Sequence, residues 1–313
     1  MYLYLARRLL ATIPVMGVVA LFVFGLLHLA PGDPAAIIAG DLATTQDIER
    51  IRENLGLNAS LHVQFGTWVG QLLRGDLGVS IFSNVPVTRL IRQRVEPTAA
   101  LTTTTLILAI VVAVPMGVVA AWKAGSWIDQ VIMVLAVVGF SCPVFVLGYV
   151  LIYGFSVQLQ LLPVQGYVSP SQGLGPFLRS IALPTLTLGL VYIALIARMT
   201  RATVLEVLGE DYIRTANAKG LGTGTVLISH ALKNAAVPIV TTVGVGVALL
   251  IGGAVITESV FAIPGLGRLV VDAILRRDYP VIQGVILIFS AAYVLINLAV
   301  DIVYTLLDPR IRY

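Results

Sequence analysis

Six long apolar runs dictate what this chain can become: Leu9 to Ala30, Thr98 to Trp122, Asp129 to Val157, Ile181 to Met199, Val237 to Thr257 and Val281 to Val300. At about 1.5 Å per helical residue, runs of this length reach across the roughly 30 Å hydrocarbon core of a bilayer. A backbone in lipid must satisfy its own hydrogen bonds. The runs are far longer than the roughly ten-residue alternating strands of a membrane barrel, so the spans are expected to be helices. Composition agrees, with 58% hydrophobic and 12% charged residues, against roughly 25% charged in soluble domains. The fold class is therefore all-α and polytopic, with six spans. Arg7 and Arg8 precede the first run as they would in a signal peptide, but that run exceeds the usual roughly 7 to 15 apolar residues, so it reads as an uncleaved span.

Three divisions follow: 1–30 as the N-terminal end and first span, 31–96 as a soluble loop region, and 97–313 as the core with the other five spans. Within 31–96, Ile48, Ile51, Leu55 and Leu57 suggest a short amphipathic helix. Pro115 and Gly117 suggest a kink in the second span, which neighbouring helices can tolerate. Trp122 and Trp127 bracket Lys123 as an interfacial belt would. Ser141, Cys142 and Pro143 interrupt the third span, and such a break marks either a translocation path or a packing adjustment. Residues 158–180 read as an irregular loop, and 258–280 is too polar and too punctuated by Pro and Gly to span. The glycines at 244, 246, 252 and 253 suit close helix packing in the fifth span. With both termini inside, the cytoplasmic pieces hold ten bases and six acids and the external pieces ten of each. The basic excess on one side sets the orientation as N-in and C-in. The net charge of +4 reflects those basic ends and does not call for a nucleic-acid partner.

The longest polar run between two spans in the second half is Thr203 to Pro238. Leu205, Leu208, Tyr212 and Thr215/Ala216 recur at helical spacing, with Glu206, Glu210, Arg214 and Asn217 opposite. Glu210 and Arg214 stand at the favourable i, i+4 spacing. Lys219 sits in the last helical turn and Gly220, Gly222 and Gly224 supply a stop. Thr225 is placed to cap a second short helix through His230 and Lys233, and Pro238 to open the next span. The expectation is an amphipathic helix, a glycine turn and a second helix between two spans.

The run Asp211-Tyr-Ile-Arg-Thr-Ala-Asn-Ala-Lys-Gly220, with His230-Ala-Leu-Lys-Asn234 and Val237-Pro238, resembles the cytoplasmic coupling loop of permease subunits of ABC importers, in particular the dipeptide/oligopeptide/nickel group. Arg214-Thr215-Ala216 stands where the general loop pattern has Glu-Ala-Ala, so only Ala216 keeps that pattern, while Gly220 and Pro238 match. Leu29-Ala-Pro-Gly-Asp-Pro34, Gly75-Asp-Leu-Gly-Val-Ser80, Phe261-Ala-Ile-Pro-Gly-Leu-Gly267, Arg277-Asp-Tyr279 and the tail Leu307-Asp-Pro-Arg-Ile-Arg-Tyr313 are similar to further motifs of the group. The resemblance implies a type I importer permease fold in a bacterial inner membrane. It implies a second permease, two ATPase subunits and an external solute-binding protein as partners. ATP and Mg would be bound on the ATPases and no cofactor on this chain. The resemblance further implies an ATPase-coupling segment at 203–236, with Glu210, Asp211, Tyr212, Arg214, Thr215, Ala216, Ala218, Lys219 and Gly220 as its contact residues, and external loops 31–96 and 258–280 facing the binding protein. Di- or oligopeptides are the implied solutes, with nickel complexes, glutathione and opines as alternatives.

The residues set limits of their own. No Gly-x-x-x-x-Gly-Lys-Ser/Thr loop occurs, and Gly220-Leu-Gly-Thr-Gly224 lacks both a preceding strand and a following Gly-Lys-Ser. His28, His62 and His230 are widely spaced, and a single cysteine, Cys142, excludes an internal disulfide or a Cys cluster. The ionisable groups of the spans, His28, Arg198, Glu258 and Asp301, are mostly terminal and form no mid-membrane relay of the kind proton-coupled carriers use. A stand-alone carrier or channel is the alternative of another class, and an intramembrane enzyme has no nucleophile, metal or paired-acid constellation to support it.

Overall fold

The computed structural model describes residues 2–29, 35–36, 44–54 and 58–307. Among these the chain is helical, with one isolated bridge between Val79 and Pro86. The helices are α1 Tyr2–Leu29, α2 Thr45–Asn54, α3 Leu61–Leu73, α4 Val87–Trp122, α5 Trp127–Ser141, α6 Val144–Leu151, α7 Leu174–Leu208, α8 Asp211–Ala218, α9 Thr223–Val260, α10 Leu266–Arg276 and α11 Tyr279–Leu307. By length and composition α4, α7, α9 and α11 can each cross a membrane. A fifth crossing comes from α5 with Val144–Gln158, bent by 105° at the break between them. The apolar stretch of α1, Leu10–Gly25, is shorter.

Contacts divide the chain into two compact units, one of Met1–Glu96 with Arg268–Leu295 and one of Pro97–Gly267 with Ile296–Tyr313. In the first, Phe24 of α1 meets Phe65 of α3 edge-on at 5.3 Å, with Trp68 at 5.8 Å. Aromatic pairs prefer such tilted geometry because ring faces and edges carry opposite partial charge. The Gln283 amide of α11 donates to the Val23 carbonyl at 3.2 Å. Two of the quoted motifs come together here. Ser80 donates its hydroxyl to Asp278 at 2.5 Å, and the Ile81 N–H donates to the other carboxylate oxygen at 3.1 Å. Both strings lie in turns: the Gly78 N–H donates to Asp76, and Arg277 adopts φ of 57°. Leu55, Leu57, residues 30–34 and the tail from 308 lie outside the described residues.

The second unit is built around α7. In its most apolar window 72% of residues are buried, against 33% for α4 and for α9, so α7 is the helix that protein surrounds. Ile181, Leu183, Leu188, Ile193 and Ile196 of α7 form one core with Leu101, Ala109 and Ala113 of α4, Leu250 and Ala254 of α9, and Phe261 and Ile263.

Several expectations are corrected by this unit. α4 begins at Val87, before the expected start of the span, and it continues unbroken through Pro97 and Pro115. Gly117 serves contact: a Cβ there would lie 2.5 Å from Thr200 Cβ and 2.7 Å from the Ala197 carbonyl oxygen, so α4 and α7 touch backbone to backbone. Of the α9 glycines, Gly253 and Gly244 meet Leu188 and Val300 closely, while Gly252 faces open space. Glu258, near the end of α9, is fully buried. Thr98 donates its hydroxyl to Glu258 at 2.6 Å and accepts from the Leu266 N–H at 2.8 Å. At Gly265 a Cβ would fall 2.2 Å from the Glu258 carboxylate, which would have to shift to admit it.

Candidate functional site

The segment after α7 is a short, fixed arm. α7 stops at Gly209, and Glu210 is extended, with φ −72° and ψ 148°, so that α8 starts afresh at Asp211. Asp211 places a negative charge at the N-terminal turn, where the helix dipole favours it. An eight-residue helix is unstable alone, and this one is held by Ile213 and Ala216, which are buried with Val226 against Val207 and Leu208. It ends as expected at Lys219 and Gly220. Gly220 has φ of +77°, its N–H donates to the Asn217 carbonyl at 2.9 Å, and the Leu221 N–H reaches Ala216 at 3.3 Å.

Here the sequence pattern and the structure differ. The break at Gly209–Glu210 resets the helical phase, so Leu205 and Tyr212 are exposed while Ile213 and Ala216 turn inward. Glu210 becomes the residue before the helix, and Arg214 pairs with Asp211 at 3.2 Å and not with Glu210. Gly222 has φ of −63°, and Thr225 lies within helix and makes no side-chain cap. The second short helix does not exist as a separate element: Thr223–Val260 is one helix, widened to a π-helix over Val226–Leu232 and carrying Pro238 internally. Of the nine designated residues, Glu210, Asp211, Tyr212, Arg214, Thr215, Ala218, Lys219 and Gly220 form the exposed surface, and Ala216 is the anchor beneath them.

An ion pair that no sequence pattern announced braces the neighbouring helices. Arg201 of α7 donates through Nε and Nη2 to the two carboxylate oxygens of Asp129 in the first turn of α5, at 2.5 and 2.7 Å. Asp129 is buried and also accepts the Gly125 N–H at 3.0 Å, which fixes the turn after α4. In that turn the Lys123 ammonium lies 4.2 Å from the Trp122 ring centroid. Bidentate geometry of this kind restricts rotation as well as distance. At the far end of α5 the chain breaks as expected. Cys142 is extended at φ −83° and ψ 126°, Pro143 opens α6, and Ser141 and Pro143 are exposed with Cys142 half-buried. The arm therefore follows the end of α7 that the Asp129–Arg201 pair braces, and the break lies at the other end of α5, where Gly139 packs against Leu190 and Ala194 of α7. Among the described residues no three His, Cys, Asp or Glu side chains gather where a metal could bind.

Comparison with known proteins agrees with this architecture. Residues 113–313 match the family described as binding-protein-dependent transport system inner membrane component, and residues 1–102 match its N-terminal companion. The chain belongs to this family. It is a multi-pass inner-membrane permease of a binding-protein-dependent ABC transporter. It is 55% identical over the full length of both chains to "Probable peptide ABC transporter permease protein y4tP" of Sinorhizobium fredii. It is 44% identical over 99% of both chains to "Glutathione transport system permease protein GsiC" of Escherichia coli strain K12. Among solved structures, the inward-facing MetNI methionine ABC transporter has a chain of the same fold at a TM-score of 0.58, with 19% identity over 70% of this permease and 96% of that chain.

Proposed function

We propose that this permease forms half of the translocation pathway of an importer for di- or oligopeptides or a similar small solute such as glutathione, beside a second, similar permease. Nickel complexes and opines are the further solutes that the resemblance admits. In this proposal α1, α4, the bent pair α5–α6, α7, α9 and α11 are the six spans, with both termini in the cytoplasm. The arm at 209–222 then lies on the cytoplasmic side and seats in a groove on one of two ATPase subunits, which bind ATP and Mg, while this chain binds no cofactor. An external binding protein delivers solute to the opposite face, toward 31–96 and 258–280.

The observation that carries the proposal is the two-sidedness of α8. Its apolar residues Ile213 and Ala216 are spent on fixing it to its own chain, and its remaining side chains, Tyr212 among them, are exposed. A rigid helix presenting an exposed aromatic and mixed charges is suited to a groove that transmits force. The test is disulfide trapping in the full assembly, with cysteine at Thr215 paired to cysteines placed along the nucleotide-binding subunit. Efficient trapping that changes with nucleotide supports the seating. Trapping that is absent along the whole ATPase surface refutes it.

A further inference from the structure

A cation lines an open cavity on the second unit, where Met199, Thr241 and Val245 are exposed. About 430 Å³ of space is bordered by Leu195, Arg198 and Met199 of α7 and by Thr241, Thr242 and Val245 of α9, a volume in the roughly 300–1,000 Å³ range of small-molecule sites. Arg198 is the charged residue of that lining. A guanidinium among apolar helices needs a counter-charge, an aromatic face or water. Asp129, the acid that α5 presents to α7, is already gripped by both donor groups of Arg201. Among the described residues Arg198 has no carboxylate partner, and it lies 4.8 Å from the centroid of the Phe140 ring, two residues before Cys142 and the break between α5 and α6.

The rest of the lining complements this cation. Thr241 and Thr242 donate their hydroxyl protons to the Val237 and Pro238 carbonyls at 2.9 and 3.0 Å, which leaves their oxygens only acceptor capacity. Leu195, Met199 and Val245 supply an apolar wall, and a methionine adapts to ligands of different shape. The cavity thus offers one oxyanion-binding group, acceptors for N–H groups and an undemanding apolar surface.

We propose that this cavity is a solute subsite of the translocation route, in which Arg198 holds a carboxylate of the transported molecule and Thr241 and Thr242 accept from its N–H groups. The proposal rests on the importer function above and narrows its solutes to those with a free carboxylate. Phe140 gives it a release mechanism: the ring face receives the guanidinium when the carboxylate leaves, so departure does not strand a bare charge. Binding weak enough to leave is what passage requires.

A lipid phosphate is the other oxyanion that could reach Arg198, and the test separates the two. The permease–ATPase assembly, without its external binding protein, is reconstituted in vesicles of phosphatidylcholine alone or with phosphatidylglycerol. Equilibrium binding of labelled alanylalanine and of its C-terminal amide is measured for the native assembly, Arg198→Gln and Arg198→Lys. The expected result is saturable binding that prefers the free acid. Arg198→Gln should weaken the acid by roughly tenfold and erase the preference, and Arg198→Lys should retain part of it because charge remains while the planar fork is lost. No saturable binding, or equal affinity for acid and amide in the native assembly, overturns the proposal. So does an Arg198→Gln effect equal for both probes, which assigns Arg198 to lipid phosphate. ATP-driven uptake by the complete native assembly is followed in parallel. Uptake with no preference for the acid overturns the subsite alone, whereas no uptake overturns the importer function with it.

Discussion

Replacing Arg201 by Met would leave Asp129 buried with one remaining donor, the Gly125 N–H at 3.0 Å. Removing one member of a buried pair typically costs roughly 3–5 kcal/mol, because the surviving charge is desolvated and uncompensated. The lower end applies here, about 3 kcal/mol, since the Arg201 side chain is 27% exposed and water can reach the pair. The double replacement Asp129→Leu with Arg201→Met removes both charges and should recover most of that loss, as apolar substitutes for buried pairs often do. Reversible unfolding of the purified permease in mixed micelles, run as a double-mutant cycle, measures both quantities. Arg201→Met within about 0.5 kcal/mol of the native protein, or a double variant no more stable than the single, would refute the view that this pair is a desolvated brace.

Three further outcomes are expected. Ala216→Phe should force α8 off Val207, Leu208 and Val226, so that ATP hydrolysis persists in the assembly while solute uptake falls at least several-fold; uptake and hydrolysis reduced in equal proportion would count against a positioning role. Gly117→Ala should destabilise the permease by about 1–3 kcal/mol through overpacking against Thr200 and the Ala197 carbonyl, read as a lower midpoint of thermal unfolding, and an unchanged midpoint would show that α4 and α7 separate freely. Asp278→Ala should leave the buried Ser80 hydroxyl and the Ile81 N–H without their acceptor, a loss of about 1–3 kcal/mol, detectable as faster amide exchange at Ile81; unchanged exchange would mean that the loop is held by other contacts.

What could be foreseen from the sequence divides along physical lines. The stop at Gly220 and the break at Ser141–Pro143 were legible because a left-handed turn and a proline act on their own stretch of backbone. The apolar runs were legible because lipid imposes one length and one secondary structure. The restart at Glu210 was missed although a signal was present: Gly209 followed by the acids Glu210 and Asp211 reads as the end of one helix and the start of another. Overlooking it put Tyr212 on the inward face and left Ile213 unremarked. The continuity of α9 through Pro238 was not legible, since the π-helical widening that precedes it has no residue signature. The Asp129–Arg201 pair joins residues 72 apart, and the Ser80–Asp278 bond joins residues 198 apart. Such partners become visible only when packing fixes which helix faces which.

The unbroken length of α7 has a mechanical consequence. Its 35 residues make a rod of about 52 Å at 1.5 Å per residue, with the arm attached at one end and Arg198 about 15 Å from that end at Leu208 by the same measure. If such a rod pivots near its middle, a sideways displacement of about 5 Å at the arm becomes a tilt of about 11° over a half-length of about 26 Å. If the arm is pushed as proposed, a stiff rod would carry the displacement undiminished to its far end, and any residue that softened its middle would absorb the stroke before it arrived.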